Sequence, residues 1–238
     1  MEVRRFTRGL LPAVFLAGAA FLLHPSPGSA QADKTTRPPA PAIEILAPAA
    51  GAVVPPGKVL VIGRAKGAGT SGVEIDVNGT VHQKTVTTGG GFMASVYMLR
   101  GKNVLHIHAD GASAERVVVA SDNVTYRYHP QAEQCGGCHG ETAGGYVVSG
   151  RKDNVCYQCH DRKDGKKLVH GPLGGGDCTI CHDPHGAMNP ALTVAKAEGL
   201  CVKCHDQPGS QKHMKDSRGV ACVSCHEPHS SDKTFLQK

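Results

Sequence analysis

The sequence predicts two regions of unlike architecture: an all-β sandwich over residues 43–128, then a region of short helices and loops with little regular structure over residues 129–238. Two observations separate them. Residues 43–128 read as short β-branched runs punctuated by Gly, Pro and Asn, the pattern of small antiparallel folds. Residues 129–238 hold all ten cysteines, no tryptophan and few aromatics, so side chains alone would make a poor core there.

Ahead of both regions stand Arg4, Arg5 and Arg8, an apolar run over residues 10–23, and the small-residue sites Gly28-Ser29-Ala30 and Ala30-Gln31-Ala32. This is the pattern of a secretory signal peptide over residues 1–32. At 14 residues the run is shorter than the ~20 a spanning helix needs, which disfavours an uncleaved anchor. No cysteine stands there for a lipid. Residues 33–42 form a Pro-rich linker with too little apolar surface to fold.

In the β region the expected strands are residues 43–46, 59–63, 73–77, 80–87, 92–99, 103–109 and 115–121, with 124–128 as an extension. Asn78-Gly79 marks a two-residue hairpin. The turn residues Pro48-Ala49-Ala50-Gly51, the Ile75-Asp76-Val77-Asn78-Gly79 hairpin, Gly91-Phe92 and Leu99-Arg100-Gly101-Lys102-Asn103 resemble those of bacterial Ig-like modules. That resemblance implies an Ig-like sandwich that docks, spaces or binds a surface. His106 and His108, two apart on one strand, could hold a metal, but strand alternation puts them on a solvated outer face opposite Leu105 and Ile107. His82 supports no stronger reading.

The ten cysteines form five copies of one pattern: Cys135/Cys138/His139, Cys156/Cys159/His160, Cys178/Cys181/His182, Cys201/Cys204/His205 and Cys222/Cys225/His226. Cys-x-x-Cys-His attaches c-type haem, because two thiols on one helical turn can form thioethers to the two vinyls of one porphyrin. The histidine then lies beneath the iron. A zinc ribbon needs two motifs per metal and no following histidine, and disulfides would not keep one spacing five times. Five haem c groups are expected. Motif starts lie 21, 22, 23 and 21 residues apart, so the porphyrins must crowd and supply the missing apolar volume.

Besides the motif histidines this region contains five others, His129, His170, His185, His213 and His229, one for each iron's sixth position. All-bis-histidine ligation follows, with Met188 and Met214 the less economical donors. A duplication agrees: motif 156–160, His170, motif 178–182 and His185 recur as motif 201–205, His213, motif 222–226 and His229, at offsets of 45, 43, 44 and 44 residues. Repeats of about 156–199 and 201–238 then follow a half-repeat, 129–155, that lacks a trailing histidine. His185 and His229 stand three residues past a motif histidine, through Pro184 and Pro228. They cannot round the macrocycle to the same iron and should serve a neighbouring one. His170 and His213 precede the next motif by 8 and 9 residues and could reach several irons.

These Cys-x-x-Cys-His-Asp/Glu-Pro-His units resemble the doubled motif of multihaem cytochromes c. The resemblance implies periplasmic or extracellular electron transfer to a redox partner protein or an external acceptor, and no catalytic residue. The rival readings are a reductase of a small nitrogen or sulfur oxyanion with one open haem, and a structural subunit of an outer-membrane or cell-surface conduit docking through residues 43–128. Charge excludes a nucleic-acid partner. The formal +6 falls to +4 without residues 1–32, and residues 129–238 carry 13 Lys/Arg against 12 Asp/Glu before ten haem propionates are added.

Overall fold

The computed structural model describes residues 42–66, 72–85, 90–142, 145–148, 150–205, 212–213, 215–217 and 220–238. The signal segment, nearly all of the linker, and Val86 and Thr87 of one expected strand lie outside them. No helix among the described residues is long and apolar enough to cross a membrane.

The β region forms two sheets. Strands β1 (Ala42–Ala47), β3 (Gly57–Lys66) and β6 (Gly91–Met98) make one, in the order β1-β3-β6. Strands β2 (Val53–Val54), β8 (Ala112–Ala120), β7 (Gly101–Ala109), β4 (Val73–Val77) and β5 (Thr80–Thr85) make the other, in the order β2-β8-β7-β4-β5. All pairs are antiparallel except β2 with β8, which is parallel. The purely antiparallel expectation fails there because Pro55 and Pro56 reduce β2 to two residues that sequence pattern cannot reveal.

Alternation places Val73, Ile75 and Val77 of β4, Leu105 and Ile107 of β7, and Phe92, Ala94, Val96 and Met98 of β6 in one buried cluster. Asn78 and Gly79 adopt φ of 56° and 80°, as a two-residue hairpin requires. Asp110-Gly111, with φ of 42° and 80°, makes a second such turn, so β8 begins at Ala112 rather than at 115. His106 and His108 lie outward beside Glu115 and Asp76, at 3.6 Å and 3.7 Å. Among the described residues no group of three metal-ligating side chains is arranged to hold an ion. The side chain of His82 lies outside the described residues.

The three-stranded sheet is covered on both faces. Val59 and Val61 point one way from β3, Leu60 and Ile62 the other, and all four are buried. Tyr126, Tyr128 and Ala132 pack into the same cluster, and the Tyr128 hydroxyl donates to the Leu60 carbonyl at 2.5 Å. The expected strand extension at 124–128 therefore does not join these sheets. Only Arg127–Tyr128 (β9) is extended, and it pairs with Gly186–Ala187 (β13), far along the chain.

After residue 129 the elements are short. Helices α1 (Cys135–Cys138), α2 (Lys152–Cys156), α3 (Gly171–Gly174), α4 (Ala197–Cys201) and α5 (Cys222–Cys225) are joined by 3-10 turns and the ladders β10 (Gly140–Thr142) with β11 (Gly145–Val147) and β12 (Leu168–Val169) with β14 (Ser230–Ser231). Helices of four or five residues do not persist on their own propensity, so what they pack against must hold them.

Asn103 gives a direct test of the β region. Fully buried, its amide nitrogen donates to the Leu99 and Gly101 carbonyls at 2.7 Å and 3.1 Å, and its oxygen accepts from the Leu99 N–H at 3.0 Å and the Asn78 amide at 3.1 Å. Asn103→Ala orphans these groups and should cost about 2–4 kcal/mol in denaturant unfolding followed by circular dichroism. Lys102→Ala, on the exposed side, should cost under about 0.5 kcal/mol.

Candidate haem sites

All five motifs share one local device. The N–H of each motif histidine donates to the carbonyl of its first cysteine, from His139 to Cys135, His160 to Cys156, His182 to Cys178, His205 to Cys201 and His226 to Cys222, at 2.9–3.0 Å. That i to i−4 bond closes one turn and sets both cysteines on it. The motifs alternate in their setting. The first, third and fifth begin a helix or 3-10 turn at the first cysteine, whereas the second and fourth end one there.

Both thiols of every motif thus lie on one turn, but Cys159 and Cys204 lie past the end of a helix. Helix α2 stops at Cys156, and Cys159 lies beyond it in a turn, its N–H donating to the Cys156 carbonyl three residues back at 3.2 Å. Cys204 repeats this past α4, donating to Cys201 at 3.2 Å. Cys181 likewise stands just past a 3-10 turn, Cys178–Ile180. The thiols of Cys138, Cys159, Cys204 and Cys225 are exposed, and those of Cys135, Cys156, Cys178, Cys181, Cys201 and Cys222 are half-buried.

Each motif histidine faces one of the other five histidines. Ring centroids lie 6.2 Å apart for His139 and His185, 6.0 Å for His160 and His129, 6.2 Å for His182 and His229, 6.0 Å for His205 and His170, and 5.9 Å for His226 and His213. Two imidazoles binding opposite sides of one metal, with bonds of ~2 Å and ring centres about 1.1 Å behind the nitrogens, stand ~6 Å apart. The residues present therefore fit a haem iron between each pair. Met188, the described member of the two methionines, faces solvent at 44% exposure.

The pairing draws a second grouping across the sequence duplication. His185 faces His139 rather than the adjacent His182, and His229 faces His182 rather than His226. His129, two motifs and His185 thus form one set, and His170, two motifs and His229 another. The half-repeat's trailing histidine is His185, 46 residues beyond His139. Backbone ties hold each set together. The His129 N–H donates to the His185 carbonyl at 3.1 Å, beside the Tyr128–Gly186 pairing; the His170 N–H donates to the His229 carbonyl at 2.8 Å, beside the Val169–Ser230 pairing. His213 alone pairs within its own neighbourhood, with the motif that follows it.

Second partners orient several rings. Nδ1 of His182 lies 2.8 Å from the Ala191 carbonyl, and Nδ1 of His226 lies 2.8 Å from the Phe235 carbonyl. Those carbonyls are presented by the left-handed pairs Ala191-Leu192 and Phe235-Leu236, with φ of 53–55°. Sequence reasoning missed both segments. The only signal was Leu192 recurring as Leu236 at the 44-residue offset. Nδ1 of His185 lies 3.4 Å from Asp183 and Nδ1 of His229 lies 3.3 Å from Glu227. The His170 ring hydrogen-bonds the Pro228 carbonyl.

Burial pushes His129, His139 and His170 below the ordinary histidine value, with neighbouring histidines adding to the effect. The neutral ring is the metal-binding form. Burial alone would raise the Asp183 carboxyl, but hydrogen bonds from His185 outweigh it and the group ends below its usual value.

The motifs follow one another in space as in sequence. The free thiols here stand where thioether sulfurs would be. Cys156 hydrogen-bonds Cys178 and lies near Cys138; Cys201 hydrogen-bonds Cys222 and lies near Cys181, which also neighbours Cys204. Burial, with Cys178 adding, pushes the Cys156 thiol up to about 11. At the first motif, the Cys135 sulfur lies 4.0 Å from the Met93 sulfur of β6, against the β region.

The Doubled CXXCH motif family model matches residues 170–209, which span His170 and the third and fourth motifs. The chain carries the motifs of a multihaem c-type cytochrome. A curated relative is similar: Multiheme cytochrome MtrA from Shewanella baltica (strain OS185), 30% identical over 120 residues, covering 41% of this chain and 36% of the relative. The chain thus spans about a third of that relative's length. The motifs and the family model support covalently bound haem c. Among solved structures, an FMN-binding beta-glucuronidase from Facaelibacterium prausnitzii L2-6 is 20% identical, covers 35% of this chain and 12% of its own, and has a TM-score of 0.30. A carbohydrate acetylesterase from Xanthomonas citri is 21% identical, covers 34% and 19%, and has a TM-score of 0.28. Likenesses this slight carry no argument.

Gly186 tests the tie within the first set. A Cβ there would lie 2.7 Å from the Arg127 carbonyl and from the Tyr126 hydroxyl, at a φ of 155°. Gly186→Ala should lower stability by about 2 kcal/mol or more in thermal melts of the haem-loaded protein. The counterpart Ser230 already carries a buried side chain, its hydroxyl donating to the Lys163 carbonyl at 2.5 Å, and Ser230→Ala should cost about 1 kcal/mol.

Proposed function

We propose that the mature protein is an exported electron carrier holding five haem c groups, each iron bound by two histidines, and that it passes electrons to a redox partner protein or an extracellular acceptor. The observation that carries this reading is the set of five ring pairs, each joining one motif histidine to one other histidine at 5.9–6.2 Å. When bound, each haem supplies a one-electron iron couple. The chain's own residues do the rest. The cysteines would fix each group covalently, each histidine pair would supply two ligands to one iron and leave no position for substrate, and the nearness of Cys138 to Cys156, Cys156 to Cys178, Cys181 to Cys204 and Cys201 to Cys222 places successive sites side by side in chain order. Saturated axial positions favour conduction over reduction of a small oxyanion.

Residues 1–32 serve as the export signal in this reading, and the β region acts as an Ig-like docking module. Net charge shifts with loading: ten propionates added to a near-neutral stretch of 13 Lys/Arg and 12 Asp/Glu make the holo-protein acidic.

Protein matured with its cofactors should carry five haems by intact mass, and its reduced form should bind no carbon monoxide at stoichiometric amounts. One tightly bound carbon monoxide per chain would sink the conduction reading in favour of a reductase. The ring pairs add a sharper expectation. His185→Ala should open a single carbon monoxide site; adding Cys135→Ala and Cys138→Ala should abolish it, whereas adding Cys178→Ala and Cys181→Ala should leave it.

A further inference from the structure

We propose that His129 and His213 set two of the five haems apart as a higher-potential class, the haems of motifs 156–160 and 222–226. The inference rests on the bis-histidine reading above and goes beyond it, because that reading treats the five sites alike. Of two features, the angle between facing rings divides the pairs, and the partners of the non-motif rings add to it.

The first is the angle between facing rings. It is 5° for His139 and His185, 13° for His182 and His229, and 17° for His205 and His170, all close to parallel. For His160 and His129 it is 59°, and for His226 and His213 it is 88°. Parallel imidazoles direct their π donation into the same iron d orbital and split it from its partner. Crossed imidazoles act on both orbitals and leave them nearly degenerate. Near degeneracy gives the ferric low-spin ion a strongly anisotropic magnetic signature with a large maximal g value, and it removes part of the stabilisation of the ferric state, which raises the potential.

The second feature is what each non-motif ring meets at Nδ1. An acceptor there pulls on the N–H, gives the ligand imidazolate character and stabilises the ferric iron. At Nδ1 His185 has the Asp183 carboxylate and His229 the Glu227 carboxylate, and the His170 ring hydrogen-bonds the Pro228 carbonyl. The Nδ1 of His129 faces the Gln131 backbone nitrogen, 3.2 Å away, which offers no acceptor to a ligating ring's N–H. Among the described residues no carboxylate or carbonyl meets the His213 ring. Among the described partners of the non-motif rings, the acceptors thus fall on the three parallel pairs, while the crossed pair of His226 keeps the Phe235 carbonyl on its motif ring.

Electron paramagnetic resonance of the oxidised, haem-loaded protein tests this. Two of the five low-spin irons should give the large-g signal and three the ordinary rhombic one. On potentiometric reduction the large-g signal should disappear first. Asp183→Asn and Glu227→Gln should each move one of the three rhombic haems to higher potential without changing its signal class. Five irons in one class, a large-g signal that persists longest, or no shift in either variant would overturn the inference while leaving bis-histidine ligation intact. High-spin iron in the wild-type protein would instead overturn the ligation reading and this inference with it.

Discussion

Two imidazoles that would share an iron must face one another across ~6 Å, and the described turns and straps after residue 129 bring five pairs of rings to that spacing. The helices are too short to persist alone and the buried side chains too few to form a protein core. What remains is a set of closed turns, each carrying two cysteines and a histidine, strapped by backbone hydrogen bonds to distant segments. The straps join ligands rather than helices: His129 is tied to His185, and His170 to His229. Each strap therefore fixes the ligands of two sites together, so neighbouring sites cannot move apart independently.

The β region obeys another rule. Alternating Val, Ile and Leu residues bury one another without help, and hairpins at Asn78-Gly79 and Asp110-Gly111 set the register. The two rules meet at residues 126–135. Tyr126 and Tyr128 give their side chains to the β core while the backbone of Tyr128 pairs with Gly186. A single short segment thus belongs to both regions, through different atoms.

This division explains what could be read in advance. The five motifs, the alternating strands and the Asn78-Gly79 hairpin are local patterns, and local sequence carries them. The ten histidines of residues 129–238 could be counted directly. Their partners could not, since His139 and His185 are 46 residues apart and no periodicity encodes which ring faces which. The steric argument over three residues did foresee that His185 and His229 turn away from the motif ring just before them. Spacing alone also hid that Cys159 and Cys204 fall in turns while Cys138 and Cys225 end helices, since all four share one motif and differ in what precedes it. Strand β2, the parallel pairing with β8 and the carbonyls of Ala191 and Phe235 escaped for a related reason: their geometry comes from contacts outside the local pattern.

The cover that Tyr126, Tyr128 and Ala132 place over the three-stranded sheet has a mechanical meaning. A module hung on a loose tether can swivel, and whatever grips it leaves the rest of the chain free. Here the Tyr128 hydroxyl on Leu60 and the Cys135 sulfur against Met93 remove that swivel at the first motif. If a surface held the sheets, it would also aim the end of the series they pack against.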